Sequence, residues 1–467
     1  MKILDYIEEV KDKSLLELPF NEVDALCFGQ SSYTLIDEYI NDQDILPMNK
    51  VGQIYFVKHS DKDIKASKSF VRLAPYVTRA LGNSKRFSKA KLHDFVSILD
   101  TNNIEQFCAF QVDIDPITTL IVFRGTDDTA IGWREDFEMA YSVVSAQERA
   151  KDYVNQRLKP FRNYIYLGHS KGGNLAYYAA LHTKTLLKPF VSKIYSFDGP
   201  GVNSAFYDSK EHKKIANRYE KFIPEFDIFG TIFDDGSDCK VIKSDAFTIF
   251  QHDAMSWEIE DNHFVKALST TKESNLIKNG LADFINSVSI EQRKIFFVEL
   301  FKALDELNLR NISDISRAGL PAFIRTIKKM MELDDNAKKT GSKLIKIFSD
   351  VTSTIINDAI GEAQDMVTNK IEEGTTTIKE FVGERIDYQA ISEAINEAKD
   401  VVSNKFEEGT NIIKDFVDDK INYQAISETI SETKNIVTNK VDEEVSTIKN
   451  FVEDKVGQIK KKLWEKY

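Results

Sequence analysis

The chain has 467 residues, 42% of them hydrophobic and 11% aromatic, which fits two or three folded domains and excludes global disorder. A formal net charge of -12 excludes nucleic acid as the main partner, because contacts to phosphates need a basic surface. The three cysteines, Cys27, Cys108 and Cys239, are too few and too scattered for a disulfide framework or a zinc site, and they fit a reducing compartment.

The first residues of the chain give no sign of export. Positions 1–20 lack the basic segment and the apolar segment that together make a signal peptide. No stretch approaches the ~18 uninterrupted apolar residues that a membrane-spanning helix needs. We therefore expect a cytoplasmic protein.

Short β-rich runs alternate with helical patterns over residues 1–270. The runs lie at 106–112, 118–125, 164–168, 193–199 and 219–224. Such alternation predicts an α/β fold with a mostly parallel sheet flanked by helices. The first two runs, joined by a turn at Asp115 and Pro116, predict an antiparallel hairpin that leads into this sheet. A helical pattern that opens with a cap at Ser145 ends near Pro160.

The remainder of the chain is predicted to be helical. Residues 271–345 have apolar positions at three- and four-residue steps, which predicts a helical appendage to the α/β domain of residues 1–270. Residues 346–467 form an amphipathic tail, in which the pattern that begins at position 368 returns at position 403, an offset of 35 residues. Apolar residues in the tail recur in an eleven-residue rhythm, one turn per ~3.67 residues, which favours a straight or slightly right-handed helix.

The tail has several possible partners. It could lie on a membrane or lipid surface, pair with a partner helix as in a coiled coil, fold back on its own domain, or serve as a solvated spacer. Its many Glu and Asp residues argue against anionic membranes, because helices that lie on membranes usually carry a basic polar face. A peripheral membrane contact or a protein partner therefore remains open for this region.

The letters GHSKG, from Gly168 to Gly172, fit the G-x-S-x-G pattern of a nucleophile elbow. A β-rich run precedes this motif and a helical pattern follows it, which is the context that the motif needs. In such an elbow the serine occupies a strained turn that lifts its hydroxyl above the sheet, and glycines flank it because a Cβ would clash. Ser170 is therefore predicted to be a nucleophile, next to the positive end of the helix that starts at Lys171.

A nucleophilic serine needs a histidine base, which follows it in the chain in this architecture. Two histidines lie in the right region, His252 and His263. His252 follows a short β-rich run at 247–250, so we expect it on a loop at the end of a strand and assign it as the base. His263 lies in a polar stretch and is expected on the surface.

The base in turn needs a carboxylate that orients it. Asp227 follows the run at 219–224 and is preferred, because it lies one strand later than Asp198, nearer to where the third member should be. Asp198 follows the strand after the elbow and stays open as the alternative. Asp253 is discounted, because the side chains of adjacent residues such as His252 and Asp253 rarely meet.

An oxyanion hole needs hydrogen-bond donors that converge from two places. Thr126, at the end of the run at 118–125, is expected to offer its backbone N–H opposite the N–H of Lys171. Arg124 and Asp136 are expected to brace this loop rather than contact a substrate. The side chain of Lys171 would either favour acidic or phosphorylated acyl substrates or point into solvent.

Taken in chain order, these motifs resemble those of the class 3 lipases, which carry an R-G-T or R-G-S strand end, a G-H-S-x-G-G elbow, a later Asp and a final His. The chain is still more similar to the Mbeg-like branch of bacterial α/β-hydrolases. The similar segments read NEVDALCFGQSSY, FRGTDDTAIGWREDF, GHSKGGNLAYYAA, SFDGPG and QHDAMSW. The resemblance spans roughly residues 1–340 and leaves out the repeat tail.

The resemblance implies an α/β-hydrolase fold and a serine hydrolase. Its implied catalytic residues are Ser170 as nucleophile, His252 as base and Asp227 as orienting acid, with Thr126 and Lys171 in the oxyanion hole. It implies neither a metal nor an organic cofactor, and it does not name a substrate.

The leading hypothesis is a hydrolase of carboxylic esters, of the lipase or phospholipase type, that acts on a small-molecule or lipid ester through an acyl-enzyme. One alternative is thioester or amide hydrolysis with the same residues. Another is a scaffold protein without catalytic activity that acts through its helical tail.

Overall fold

The structure is a computed structural model of the chain. The described residues are 1–67, 69, 71–100, 105–126, 135, 139, 142–202, 209–230, 238–246, 248–293, 295, 296, 298, 299, 326–329, 331, 332, 335–347, 350, 351 and 354. The chain divides into two compact units, one of Met1–Ile315 with Arg325–Ile347 and the other of Ser316–Ile324 with Phe348–Tyr467. The repeats from position 368 onward lie outside the described residues. The division into residues 1–270, 271–345 and 346–467 stays a prediction.

Strands alternate with helices in the central part of the first unit, between residues 118 and 224. The helices are α1 Ile3–Val10, α2 Glu22–Ser31, α3 Met48–Ile54, α4 Asp61–Ala66, α5 Ala74–Asn83, α6 Ser145–Arg157, α7 Lys171–His182, α8 Lys210–Lys213 and α9 Lys272–Ser287. The strands are β1 Leu46–Pro47, β2 Lys91–Asp100, β3 Glu105–Asp113, β4 Thr118–Phe123, β5 Asn163–His169, β6 Val191–Phe197, β7 Tyr219–Pro224, β8 Cys239–Ile242, β9 Ile259–Glu260 and β10 His263–Phe264. Among the described residues, no helix is both long and apolar enough to cross a bilayer.

The main sheet is mixed, and its strands lie side by side in chain order from β1 to β8. Strands β1 to β4 pair antiparallel, including the predicted hairpin of β3 and β4 around Asp115 and Pro116. Strands β4 to β8 pair parallel. The predicted α/β fold with a mostly parallel sheet is therefore confirmed. The helix predicted to begin with a cap at Ser145 is α6, which has Val144 as its N-cap.

Each face of the sheet is covered by a different set of helices. Right-handed crossovers place successive helices on the same face, and α6 and α7 accordingly pack together on one side. Their face of the sheet buries Ile121, Phe123 and Tyr166, whereas the alternate residues Val122 and Leu167 face the helices of the amino-terminal region. This alternation follows from the two-residue period of a strand. Both faces are thus apolar, as a buried parallel sheet requires.

The amino-terminal helices are fixed by a buried polar cluster. Asn21 caps α2 by accepting hydrogen bonds from the backbone N–H groups of Val23 and Asp24. The carboxylate of Asp24 lies 2.5 Å from the guanidinium of Arg86, and neither side chain is significantly exposed. Arg86 also donates to the carbonyl oxygen of Leu18 at 2.8 Å. These contacts fix the start of α2 to Arg86, and through Arg86 to the segment that precedes the helix.

Candidate active site

Ser170 lies at a sharp corner between β5 and α7. Its backbone has φ 57° and ψ -132°, a left-handed conformation that is uncommon for a residue with a Cβ. The Ser170 N–H donates to the carbonyl of Phe197 at the end of β6 (2.8 Å), and its own carbonyl accepts from the N–H of Gly173 (2.8 Å). Such strained residues persist where the surroundings hold them, often at functional sites. The geometry is that of the elbow predicted from the motif.

Two glycines let the corner form. A Cβ on Gly168 would overlap the backbone of Gly172, and a Cβ on Gly172 would overlap the carbonyl oxygen of Phe123 in β4. The start of α7 therefore packs directly against the ends of β4 and β5, with no room for a side chain. This close approach places the first turn of α7 beside the end of β4.

Ser170, His252 and Asp198 form a hydrogen-bonded line. The Oγ of Ser170 lies 3.0 Å from Nε2 of His252, and Nδ1 of His252 lies 2.6 Å from Oδ2 of Asp198. The order of atoms is that of a serine, a base and an orienting acid. These three residues are separated by up to 82 positions in the chain and meet at the carboxyl ends of β5 and β6.

The preference for Asp227 over Asp198 as the orienting acid is corrected by this geometry. Strand β6 is the direct neighbour of β5, whereas β7 lies one strand further away. Asp198, immediately after β6, therefore reaches the histidine beside Ser170. Asp227 lies beyond the end of β7, and the two carboxylates accept from the same N–H, that of Gly230, at 2.7 Å for Asp227 and 3.1 Å for Asp198.

His252 ends a short 3-10 helix, Thr248–His252, and not a β-strand as expected from the sequence. Gln251 anchors this helix, because its side-chain oxygen accepts from the N–H of Phe226 and its carbonyl accepts from the indole of Trp257, both at 2.8 Å. The ring of Phe229 packs against the imidazole of His252, with the two centroids 4.3 Å apart. These contacts hold both the ring and the backbone of His252 in place.

Burial sets the protonation of these groups. It lowers the pKa of His252 to about 4, against the opposing effect of the Asp227 charge. Burial raises the pKa of Asp198 to about 6, although the charge of the buried Lys221 and the hydrogen bond from the Gly230 N–H oppose the rise. At neutral pH the imidazole is therefore neutral and Asp198 is ionised. Nδ1–H donates to Asp198, and Nε2 keeps the lone pair that accepts from the Ser170 hydroxyl.

The side chain of Lys171 is buried and does not point into solvent, so that expectation is wrong. Its Nζ lies 2.5 Å from a carboxylate oxygen of Glu135 and 2.8 Å from the carbonyl oxygen of Gln106, and the ion pair is fully buried. Glu135 also accepts from the backbone N–H groups of Gln106 (3.0 Å) and Ala146 (2.8 Å). The pair therefore ties the start of α7 to β3 and α6. The backbone N–H of Lys171 belongs to the first turn of α7, where N–H groups point out of the helix.

The end of β4 carries the other residues expected near an oxyanion hole. Thr126 is buried there. Arg124 braces this strand end as expected, because its Nε donates to the carbonyl of Ser32 at 2.5 Å and its two terminal nitrogens lie 3.0 and 3.2 Å from the carboxylate of Asp37. Asp136 lies outside the described residues.

His263, the second histidine considered as a base, lies away from this site. His263 is on the surface, as expected, and contacts Glu22 at 2.8 Å. Within the described part of the chain, no group of three or more His, Cys, Asp or Glu side chains is arranged to hold a metal ion.

The chain thus combines an α/β fold with a Ser–His–Asp line on a nucleophile elbow at the carboxyl edge of its sheet. Residues 81–302 match the Mbeg1-like family, so the resemblance drawn from the motifs is confirmed over that range. No curated protein matches the chain. Among solved structures, M37 lipase is similar over 44% of this chain and 67% of its own, at 15% sequence identity and a TM-score of 0.27, which is too weak to carry an argument about activity.

Proposed function

We propose that the chain is a serine hydrolase of the α/β-hydrolase type that cleaves carboxylic esters through an acyl-enzyme on Ser170. The observation that supports the proposal most strongly is the 3.0 Å contact between the Ser170 hydroxyl and a buried, neutral His252 whose other nitrogen contacts Asp198. A neutral imidazole at that distance can accept the hydroxyl proton as the oxygen attacks.

The reaction follows from these contacts in two halves. The Oγ of Ser170 attacks the ester carbonyl carbon while its proton moves to Nε2 of His252, and Asp198 stabilises the imidazolium that results. The tetrahedral intermediate collapses, the alcohol leaves with the proton from Nε2, and the acyl group stays on Ser170. Water then attacks the acyl carbon, again giving its proton to His252, and the carboxylic acid is released as Ser170 recovers its proton.

The negative charge of each tetrahedral intermediate needs donors that are already in place. The backbone N–H groups of Lys171, in the first turn of α7, and Thr126, at the end of β4, are proposed as these donors. The close approach of β4 and α7 at Gly172 supports this pairing, because it brings the two segments together. The positive end of α7 adds a favourable field at the same place.

The test is ester hydrolysis by the full chain and by a Ser170→Ala variant. The proposal expects release of p-nitrophenol from short p-nitrophenyl esters by the wild type, and a loss of roughly 10⁴-fold or more in kcat/KM for Ser170→Ala. Ser192→Ala, a serine outside the Ser–His–Asp line, serves as the matched control and should keep full activity. A panel of p-nitrophenyl ester, thioester and anilide substrates with the same acyl group shows which of the three classes of leaving group is released fastest. A folded wild type that is no more active than Ser170→Ala on all three would refute the proposal.

A further inference from the structure

The residue before the nucleophile, His169, makes two hydrogen bonds in a buried position. Its Nε2 lies 2.9 Å from the carbonyl oxygen of His252, and its Nδ1 lies 2.8 Å from the hydroxyl of Tyr33. The side chain is almost wholly buried, with the residue 2% exposed. Neither contact was predicted from the sequence, where His169 entered only as a letter of the G-H-S-x-G-G elbow.

The chemistry of the partners fixes the state of this imidazole. A carbonyl oxygen only accepts, so Nε2 of His169 must carry the proton that it donates to His252. Burial, and then repulsion from His252, lower the pKa of His169 well below its usual value, so the ring is neutral. Its Nδ1 therefore holds a lone pair, and the Tyr33 hydroxyl donates to it. Tyr33 thus supplies the donor that the second nitrogen of this tautomer needs.

The contact with His252 links the two reacting groups through the backbone. His169 precedes Ser170 in the chain, and its ring donates a hydrogen bond to the main-chain carbonyl of His252 at the end of the 3-10 helix. The two imidazole rings lie 4.9 Å apart, and Trp257 packs edge-on against His169 at 6.3 Å. The distance from the Ser170 hydroxyl to His252 Nε2 therefore depends on the position of the His169 ring.

Tyr33 reaches this place from the amino-terminal region. It follows α2, is buried, and also lies 3.3 Å from the carbonyl oxygen of His169. A Cβ on Gly125, at the end of β4, would overlap the Tyr33 hydroxyl, so the two groups are in close contact. The adjacent Ser32 receives the hydrogen bond of Arg124 described above. Residues 32 and 33 therefore contact the ends of both β4 and β5, and they lie outside the range 81–302 that matches the family.

We propose that Tyr33 and His169 are positioning residues that hold the backbone of His252 so that its Nε2 stays within hydrogen-bonding distance of Ser170. This inference rests on the proposed function. Neither residue exchanges a proton with substrate. Tyr33 donates to Nδ1 of His169 and holds its ring, His169 donates to the carbonyl of His252, and together they make the amino-terminal segment part of the catalytic geometry.

The test compares three variants by steady-state kinetics on the most reactive p-nitrophenyl ester. His169→Leu removes the donor and should lower kcat by roughly 10- to 100-fold with KM within about twofold, because small displacements of a base reduce rate rather than binding. His169→Gln keeps an amide N–H that can reach the His252 carbonyl and should restore most of that loss. Tyr33→Phe should lower kcat by about 3- to 10-fold, the effect of one lost hydrogen bond.

Tyr6→Phe is the matched control. Tyr6 is another buried tyrosine of the amino-terminal region, and its hydroxyl bonds Asp24 at 3.0 Å, away from the elbow. It should lower the midpoint of thermal unfolding at least as much as Tyr33→Phe while leaving kcat unchanged. Equal kcat values for wild type, His169→Leu and Tyr33→Phe would overturn the inference while leaving the proposed function standing, and so would a loss in His169→Leu that His169→Gln does not rescue.

A second measurement decides the inference without any substrate. Deuterium uptake by the peptide that spans residues 248–257 should rise in His169→Leu and in Tyr33→Phe, because the His252 backbone loses its anchor, and should not rise in Tyr6→Phe. Uptake that is the same in all variants would overturn the positioning role, even if the wild type hydrolyses no ester and the proposed function fails.

Discussion

His252 and His93 both contact carboxylates, but they lie toward opposite ends of the parallel strands. His252, at the carboxyl ends, contacts Asp198 at 2.6 Å, and its side chain is 12% exposed. His93, on β2, lies between Asp94 at 2.8 Å and Asp113 at 3.2 Å, near the start of β4. Burial lowers the pKa of His252 to about 4. Burial also lowers the pKa of His93, but hydrogen bonds with Asp113 and Asp94 outweigh it and raise the pKa to about 9.

The difference shows that contact with a carboxylate does not by itself make a histidine a base. His93 has two carboxylates to stabilise its imidazolium, so it stays charged at neutral pH and has no lone pair to offer. His252 lies in a buried site where the cost of burying its charge exceeds the stabilisation by Asp198, so its imidazole stays neutral. A neutral imidazole beside a serine can accept a proton, whereas a charged one between two aspartates acts as an ion pair.

The largest expected effect tests which acid orients His252. Asp198→Asn should lower kcat by ~10³- to 10⁴-fold, because an amide can favour the wrong tautomer and cannot stabilise the imidazolium. Asp227→Asn should lower kcat by less than about tenfold, since it is Asp198 that lies at 2.6 Å from Nδ1 of His252. The measurement is kcat for both variants on the same ester. A larger loss for Asp227→Asn than for Asp198→Asn would return Asp227 to the role first preferred from the sequence.

The pH dependence of activity tests the neutral state of His252. Because its pKa is lowered to about 4 and that of Asp198 is raised to about 6, the pair should keep its active protonation as pH falls below the usual titration range of histidine. The acid limb of kcat/KM should therefore have an apparent pKa between about 4 and about 6, which belongs to the pair rather than to one residue. An apparent pKa of this acid limb at or above 6.5 would mean that His252 is protonated as easily as a solvated histidine.

The smallest effect concerns stability and the charged state of His93. Its folded pKa lies above the value in the unfolded chain, so its stabilising contribution is complete below about pH 6.5 and is lost as pH rises toward 9. After allowance for its partial exposure, His93→Gln should reduce the free energy of unfolding by about 1 to 2 kcal/mol near pH 6 and have little effect near pH 10.

Urea unfolding at both pH values measures this change, with His263→Gln as the control histidine on the surface. Ester hydrolysis by His93→Gln should equal that of the wild type, because His93 lies away from Ser170. An effect of His93→Gln on stability that does not change between the two pH values would show that His93 acts through packing and not through charge.

The parts of the site that could be predicted from the sequence are local. Ser170 lies within a short motif whose β-run, glycines and helix are contiguous, so the strained corner follows from neighbouring residues. His252 could be chosen because only two histidines followed the elbow in the right region. The hairpin of β3 and β4 was likewise visible, because its turn residues Asp115 and Pro116 separate two apolar runs.

The parts that could not be predicted depend on contacts across the chain. Whether Asp198 or Asp227 reaches His252 depends on which strand lies beside β5. The sequence around each strand does not reveal which strands are its neighbours in the sheet. Lys171 looked exposed or substrate-facing because its partner Glu135 lies 36 positions away. Tyr33 meets His169 from 136 positions away, and its one sign in the sequence is the segment 21–33 that carries the resemblance.

The most direct measurement of the central claim is covalent labelling of the folded chain by a fluorophosphonate, with the labelled peptide located by mass spectrometry. A reactive serine next to a neutral imidazole should take the label at Ser170 in the wild type, while Ser170→Ala takes none and His252→Ala reacts at least ~100-fold more slowly. His263→Ala should react like the wild type. Absence of label on the folded wild type, or a label that persists in Ser170→Ala, would contradict the assignment of Ser170 and His252 as nucleophile and base.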